Sequence, residues 1–307
     1  MKPEIAGTGI ATVDHLYRVS DVNALPDGQV LEYSVQGGGM AATAMAAASR
    51  LGASTAAVLC VGDDREGEEV LEGLQLMGVD TSLCRRKSGA TPVILVLVDA
   101  RTGERYFVPR RGESPLPGPE DIEWDLLGDA NILLVDSCAR EPGEILRRGQ
   151  EMGLTTMVDM EFEDGEEADW IRAVDVYIGG GDRPEWRGTP EVAVEAARNM
   201  LNRGPHTSIM TMGSAGCAGV GPEGDFHIPP FDVEVVDTCG AGDVFRGAYA
   251  YALERGWRAR HCAAFACAAS ALCTTRLGGR AGLSTADEVA ALLLEDRRQG
   301  PWNELTG

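Results

Sequence analysis

The sequence predicts an α/β fold: a doubly wound, mostly parallel sheet flanked by helices, carrying a small β-sheet lid. Two observations predict it. Short apolar runs typical of buried parallel strands alternate with helical patterns through most of the chain. Two stretches, Leu16–Gln36 and Pro92–Val108, break that rhythm with strand-like runs and hairpin-type turns and no helix between them. With 307 residues, 44% hydrophobic and 24% charged, the chain can bury a sizeable core, and we read 1–307 as a single domain with lid segments at about 12–36 and 90–112 inserted.

Taken in order, Ile5–Ile10 reads as the first strand. Met40–Leu51 is an Ala-rich helix, Ser54–Val61 a strand and Glu66–Met77 a helix. In the second lid piece, Asp99-Ala-Arg-Thr-Gly103 fits a turn between Val93–Val98 and Arg105–Val108. Pro109–Pro119 is a Pro/Gly-rich connection back to the main fold. Ile132–Asp136, Thr155–Asp159, Val174–Ile178 and Thr207–Met212 are short apolar strands. Pro142–Met152, Pro190–Asn202, Asp243–Arg255 and Arg258–Cys273 are the helices between or after them. Strand and helix in this alternation imply right-handed crossovers.

Composition narrows the function classes. Acidic residues outnumber basic ones 48 to 27, a net charge of −21. Such a surface repels phosphate backbones, so nucleic acid is not an expected partner. The first residues lack a basic stretch followed by an apolar core, and no run approaches a membrane span, so a cytoplasmic protein is expected. The eight cysteines include no C-x-x-C pair, and several sit in apolar runs; buried free thiols are the default reading. Gly7-Thr-Gly9 follows the first strand but lacks the G-x-G-x-x-G spacing of a dinucleotide site.

The strongest local signal is Val235-Val-Asp-Thr-Cys-Gly-Ala-Gly-Asp-Val-Phe-Arg-Gly-Ala248. A strand is expected to end at Val236, and Gly240, Ala241 and Gly242 to open a helix near Asp243. Small residues there let successive amides face one concavity, an anion hole for charge developing on a transferring phosphoryl group. A carboxylate at the helix start can take the proton of an attacking hydroxyl. The same residues also suit a plain strand-to-helix turn with Asp243 as its N-cap.

Asp237-Thr-Cys-Gly-Ala-Gly-Asp243 resembles the D-T-x-G-A-G-D signature of the ribokinase-like (PfkB) carbohydrate kinases. Other segments resemble that family in the expected order: Gly37-Gly-Gly-Met-Ala-Ala-Thr-Ala44 with Arg50-Leu-Gly-Ala53, then Val61-Gly-Asp-Asp64 with Gly67, then Thr211-Met-Gly-Ser-Ala-Gly216. The resemblance implies a phosphotransferase that uses ATP and Mg²⁺, with K⁺ as a further cofactor. Asp243 is then the base and Gly240, Ala241 and Gly242 the anion hole. Asp14, Gly38, Gly39 and Thr43 would meet the sugar. Thr211, Gly213, Ser214 and Gly216 would line the nucleotide. Asp237 would help hold the monovalent cation, and Arg276–Ser284 would lie near the adenine and the same cation. The small sheet becomes a lid over the sugar site, and pairing of lids makes a homodimer the expected assembly.

The chain departs from the family in places. Met40 and Thr43 stand where ribokinase carries Lys and Asn, which puts ribose in doubt as the substrate. An N-x-x-E element is replaced by Gly179-Gly-Gly-Asp182, leaving Asp182 as the acid that would order Mg²⁺ through water. Among family members the chain resembles kinases of ketose-type sugars, sulfofructose kinase included. Ketoses, sulfo-sugars and sugar acids are the expected substrates. The alternatives are a nucleoside kinase, with Tyr17, Tyr33 and Phe107 as a slot for a base, and a non-catalytic sugar-binding regulator. Arg101, Arg105, Arg110 and Arg111 cluster in this acidic chain; they suit a solvated hairpin, and in a second reading Arg110 or Arg111 meets an anionic group on the sugar.

Overall fold

Strict alternation of side chains between two buried faces explains the central strands. In β1 (Ile5–Gly9) Ile5 joins one hydrophobic cluster and Ala6 the other. In β4 (Thr55–Gly62) Ala57 and Leu59 take the first face, and Ala56 and Val58 the second. Runs of this kind have no polar side to show to water, so they belong in a sheet covered on both faces. The computed structural model describes residues 2–24, 27–110, 115–127, 130–159, 169–180 and 189–296.

The main sheet has nine strands in the order β13-β12-β11-β10-β9-β8-β1-β4-β5. Besides β1 and β4 these are β5 (Arg85–Lys87), β8 (Ile132–Asp136), β9 (Thr155–Asp159), β10 (Val176–Gly180), β11 (Thr207–Thr211), β12 (Cys217–Gly221) and β13 (Gly224–Ile228). Pairing is parallel from β5 through to β11 and antiparallel at β11–β12 and β12–β13. Helices α1 (Met40–Leu51), α2 (Arg65–Leu76), α6 (Ala241–Glu254), α7 (Ala259–Cys273) and α8 (Ala286–Glu295) cover one face. The other is covered by α3 (Trp124–Leu127), α4 (Pro142–Glu151) and α5 (Pro190–Leu201). The Ala-rich face of α1 lets α6 come close: a Cβ on Gly247 would sit 2.2 Å from the Ala44 carbonyl oxygen.

From β1 the chain winds to β4 on one side and later returns to β8 on the other. Ligand crevices in open α/β sheets form at such a switch point, outside the carboxyl ends of the strands. Here those ends present Gly9, Asp136 and Asp159.

The second sheet has four strands in the order β3-β2-β6-β7. These are β2 (Thr12–Val19), β3 (Val30–Gly38), β6 (Val93–Asp99) and β7 (Arg105–Pro109). β2–β6 is parallel and the outer pairs are antiparallel. The expected lid is therefore present; β2 and β3 enter between β1 and α1, and β6 and β7 between β5 and β8.

Several expectations are corrected. The Val235–Val236 run is not a strand; the amides of Val236 and Asp237 both bond the Thr274 carbonyl at the end of α7. Helix α6 begins at Ala241, two residues before the expected start at Asp243. β5, the β12–β13 hairpin and α8 were not expected. Helix α8 does carry a legible signal, since Thr285 and Glu288 form a capping box.

Candidate active site

Gly240 precedes α6 with φ 72°, a conformation that favours glycine. A Cβ there would lie 2.5 Å from the Gly279 Cα, so the loop can pack backbone against backbone only without one. Asp237 staples this contact. Its side chain is buried and accepts from the amides of Cys239 and Gly278, each at 2.9 Å. Asp237 thus has a structural task that stands without any cation.

Asp243 is the third residue of α6, and no side chain caps that helix. The N-cap alternative therefore fails, and the carboxylate is left for other chemistry. Amides of a first helical turn have no intrahelical carbonyl partner and carry the positive end of the helix dipole. Gly242 and Asp243 supply such amides beside the carboxylate.

A small cleft opens here. Asp14, Leu16 and Gln36 of the lid line it, with Gly37–Gly39, Thr43, Cys239, Gly240, Asp243 and Gly279. The Asp14 carboxylate lies against Gly38, where a Cβ would fall 2.1 Å from its Oδ2. Thr12 donates to Asp14 Oδ1 at 2.6 Å. Gly39 has φ 88° and passes over the backbone of Ile10 and Ala11. The structure thus brings the expected sugar residues Asp14, Gly38, Gly39 and Thr43 into one cleft with Asp243 and Gly240.

Behind the cleft lie two buried carboxylates. Asp136 accepts from the amides of Ile10 at 2.8 Å, Ala41 at 3.0 Å and Cys138 at 2.8 Å. It ties the end of β1 to the start of α1, and burial with the nearby Asp159 charge pushes its carboxyl up to about 7. Asp159 pairs with the buried Arg246 at 2.6 Å, and Arg246 also donates to the Ile178 carbonyl at 3.1 Å. Burial, and then the charge of Asp159, hold Asp243 well above the ordinary carboxylate range. Arg246 opposes that rise, while Asp136 and Asp14 add to it. A general base works best when its pKa approaches the working pH.

Thr211 ends β11, and Gly213–Ala215 form a single tight turn before Gly216, which has φ 86°. Thr211 Oγ1 donates to the Gly179 carbonyl at 3.3 Å. These residues stand at the same edge of the sheet as Asp159 but do not line the cleft. Asp182 and Arg111 lie outside the described residues.

Three expectations about this region can be set against the described residues. Arg110 is engaged by Glu66 at 3.1 Å and by the Thr91 carbonyl at 2.7 Å, so it fastens the lid to α2, while Arg111, the other candidate, lies outside the described residues. Tyr17 and Tyr33 are cross-strand partners with rings 4.6 Å apart. Asp14 and Leu16 face the cleft, so strand alternation turns both tyrosines to the outer face. Of the proposed base slot only Phe107 shares the Leu16 face, through Val96. Finally, in the Arg276–Ser284 segment Gly279 lines the cleft, Arg280 donates to the Gly38 carbonyl and the Gly278 amide donates to Asp237. Arg246 and Asp136 were missed, and Arg280 was named only as part of the Arg276–Ser284 segment. A lone arginine in the apolar stretch Val244-Phe-Arg-Gly-Ala-Tyr was the one legible sign of a buried charge pair.

Known proteins share this architecture. The pattern of the pfkB family carbohydrate kinases matches residues 3–153 and 163–286. A probable fructokinase-4 of Arabidopsis thaliana is 27% identical over 83% of this chain and 87% of its own length. An ATP-dependent ribose-1-phosphate kinase of Halopiger xanaduensis is 30% identical over 84% of this chain and 87% of its own. The crystal structure of a ribokinase from Thermotoga maritima superposes with a TM-score of 0.77 at 25% identity, covering 95% of this chain and 99% of the other.

Proposed function

The chain belongs to the pfkB family of carbohydrate kinases, phosphotransferases that act on sugar hydroxyls, and from that premise we propose a specific reaction. The γ-phosphoryl group of ATP passes to a hydroxyl of a ketose, a sulfo-sugar or a sugar acid, with Asp243 as the base. One observation carries this reading: an uncapped carboxylate, Asp243, shares a cleft with a second carboxylate, Asp14, at the start of a helix. Asp14 accepts hydrogen bonds from sugar hydroxyls and fixes the ring. Asp243 takes the proton of the attacking hydroxyl. The oxygen bonds the γ-phosphorus as the bond to the β-phosphate oxygen breaks, and ADP leaves. Charge on the moving phosphoryl group meets the amides of Gly242 and Asp243.

MgATP is the donor in this reading. Mg²⁺ bound with the nucleotide would neutralise charge on its phosphates, and the Halopiger relative is named as ATP-dependent. A K⁺ ion beside Asp237 would stiffen the anion loop. Release of ADP over a panel of ketoses, aldoses, sugar acids, sulfo-sugars and nucleosides tests the substrate class. The expected result is turnover with sugars, faster in K⁺ than in tetramethylammonium salt. Turnover confined to nucleosides would overturn the substrate class, and equal rates in the two salts would remove the K⁺ role. The outward turn of Tyr17 and Tyr33 weighs against the nucleoside reading. The uncapped Asp243 weighs against a non-catalytic regulator, which needs no base at an anion hole.

The lid's outer face exposes Leu31, Tyr33, Val35, Tyr106 and Val108, and β3 and β7 leave its two edges open. We assign that face to a second copy of this chain, since a twofold pairing would cover the apolar surface and the edges together. Light scattering should give twice the chain mass; a monomer at assay concentration would contradict the assignment.

A further inference from the structure

The loop between α7 and α8 sends one long side chain under the floor of the cleft. Arg280 is 4% exposed. Its Nη2 donates to the Gly38 carbonyl at 2.9 Å, and its Nε lies 3.4 Å from Thr43 Oγ1. Its own amide donates to Gln36 Oε1 at 3.2 Å, while Gln36 Nε2 donates back to the Leu277 carbonyl at 2.7 Å. Gly37 has no side chain where the guanidinium passes: a Cβ there would sit 2.2 Å from Nη1. One arginine therefore holds the end of β3, the first turn of α1 and the loop after α7 together, and all three border the cleft.

A buried guanidinium is costly unless its charge is compensated. Among the described residues no carboxylate makes an ion pair with Arg280. Its charge is balanced at longer range by Asp14 and Asp243, and burial pulls it down to about 10. Asp14 is held up by burial and lowered in turn by Thr12, Arg280 and His15. Nothing in this arrangement serves helix or sheet packing alone, which an apolar side chain would do at lower cost.

Building on the proposed sugar kinase reading, we infer that Arg280 is a positioning residue for the sugar: it fixes the Gly38 and Thr43 groups that face the substrate and balances the Asp14 charge. It sets affinity for the sugar and not for the nucleotide. Loss of the guanidinium lets Gly38 and Thr43 relax and leaves Asp14 with less positive charge beside it, so sugar hydroxyls lose well-placed partners.

The test compares Arg280→Gln, Arg280→Lys and Gly37→Ala with the wild type, using the sugar that the wild type turns over. Sugar KM, kcat, ATP Kd by calorimetry and the melting temperature are measured for each. Arg280→Gln is expected to raise sugar KM roughly 10–150-fold, the scale of one charge-assisted hydrogen bond, with ATP Kd changed by less than about threefold. Arg280→Lys keeps the charge but not the fork and should fall between. Gly37→Ala displaces the guanidinium without removing it. It should raise sugar KM, and add little in the Arg280→Gln background, because the two changes act on one contact. A folded Arg280→Gln with wild-type sugar KM would overturn the inference, as would equal losses for sugar and ATP. Additive effects of Gly37→Ala and Arg280→Gln would also overturn it. A wild type that turns over no sugar would instead remove the kinase reading beneath it.

Discussion

Asp243→Asn is expected to keep the fold and bind ATP while kcat falls by about 10²–10⁴, the usual range for loss of a general base. The amide matches the carboxylate in shape, so packing at the start of α6 is preserved. It cannot take a proton, and so the attacking hydroxyl must ionise unaided. The pH profile adds a second readout. The folded-state pKa of Asp243 is raised by burial and by Asp159, and only the carboxylate can act. Wild-type kcat/KM should therefore fall as pH drops through a pKa above the ordinary carboxylate range of about 3.9. The same limb should be missing in Asp243→Asn. Measured kcat above a third of the wild type at saturating substrates would remove Asp243 from its role.

Arg246→Met is expected to destabilise the chain by about 3–5 kcal/mol, since it removes the buried cation that pairs with Asp159 at 2.6 Å. That is a large share of the roughly 5–15 kcal/mol available to a folded protein. Methionine nearly fills the volume, so the loss reports charge and not a cavity. Arg246 also opposes the charges that raise Asp243. Its removal should push the Asp243 pKa higher still and move the acid limb of the rate profile upward. Asp159→Asn in the Arg246→Met background should recover much of the lost stability, because the buried charge that Arg246 balanced is then removed as well. Denaturant unfolding checks this. A loss below about 1 kcal/mol would place the pair among contacts of the exposed kind.

The glycines of the candidate site were legible in the sequence because each marks a backbone position that tolerates no side chain. Gly240 needs a positive φ and a bare Cα against Gly279, and Gly39 needs the same over Ile10 and Ala11. Such needs show up as glycines at fixed spacing from the carboxylates they serve. The central strands were legible because both their faces are buried, which leaves short, wholly apolar runs. What the sequence hid is long-range. Arg280 touches Gly38 across the chain, and no spacing links the loop after α7 to β3. The β12–β13 hairpin was missed because Cys217-Ala-Gly-Val-Gly221 and Gly224-Asp-Phe-His-Ile228 are glycine-rich or half exposed and have little apolar pattern. The basic cluster around Arg110 says nothing of partners such as Glu66, which comes from α2.

The central claim is transfer of a phosphoryl group to a sugar hydroxyl from a cleft governed by Asp243. Phosphorus NMR of a mixture of MgATP, K⁺ and an accepted sugar follows both products at once. The expected spectrum gains a sugar phosphomonoester and ADP in equal amounts with wild-type protein, and neither at a comparable rate with Asp243→Asn. ADP appearing with inorganic phosphate and no phosphomonoester, or equal transfer by both proteins, would contradict it.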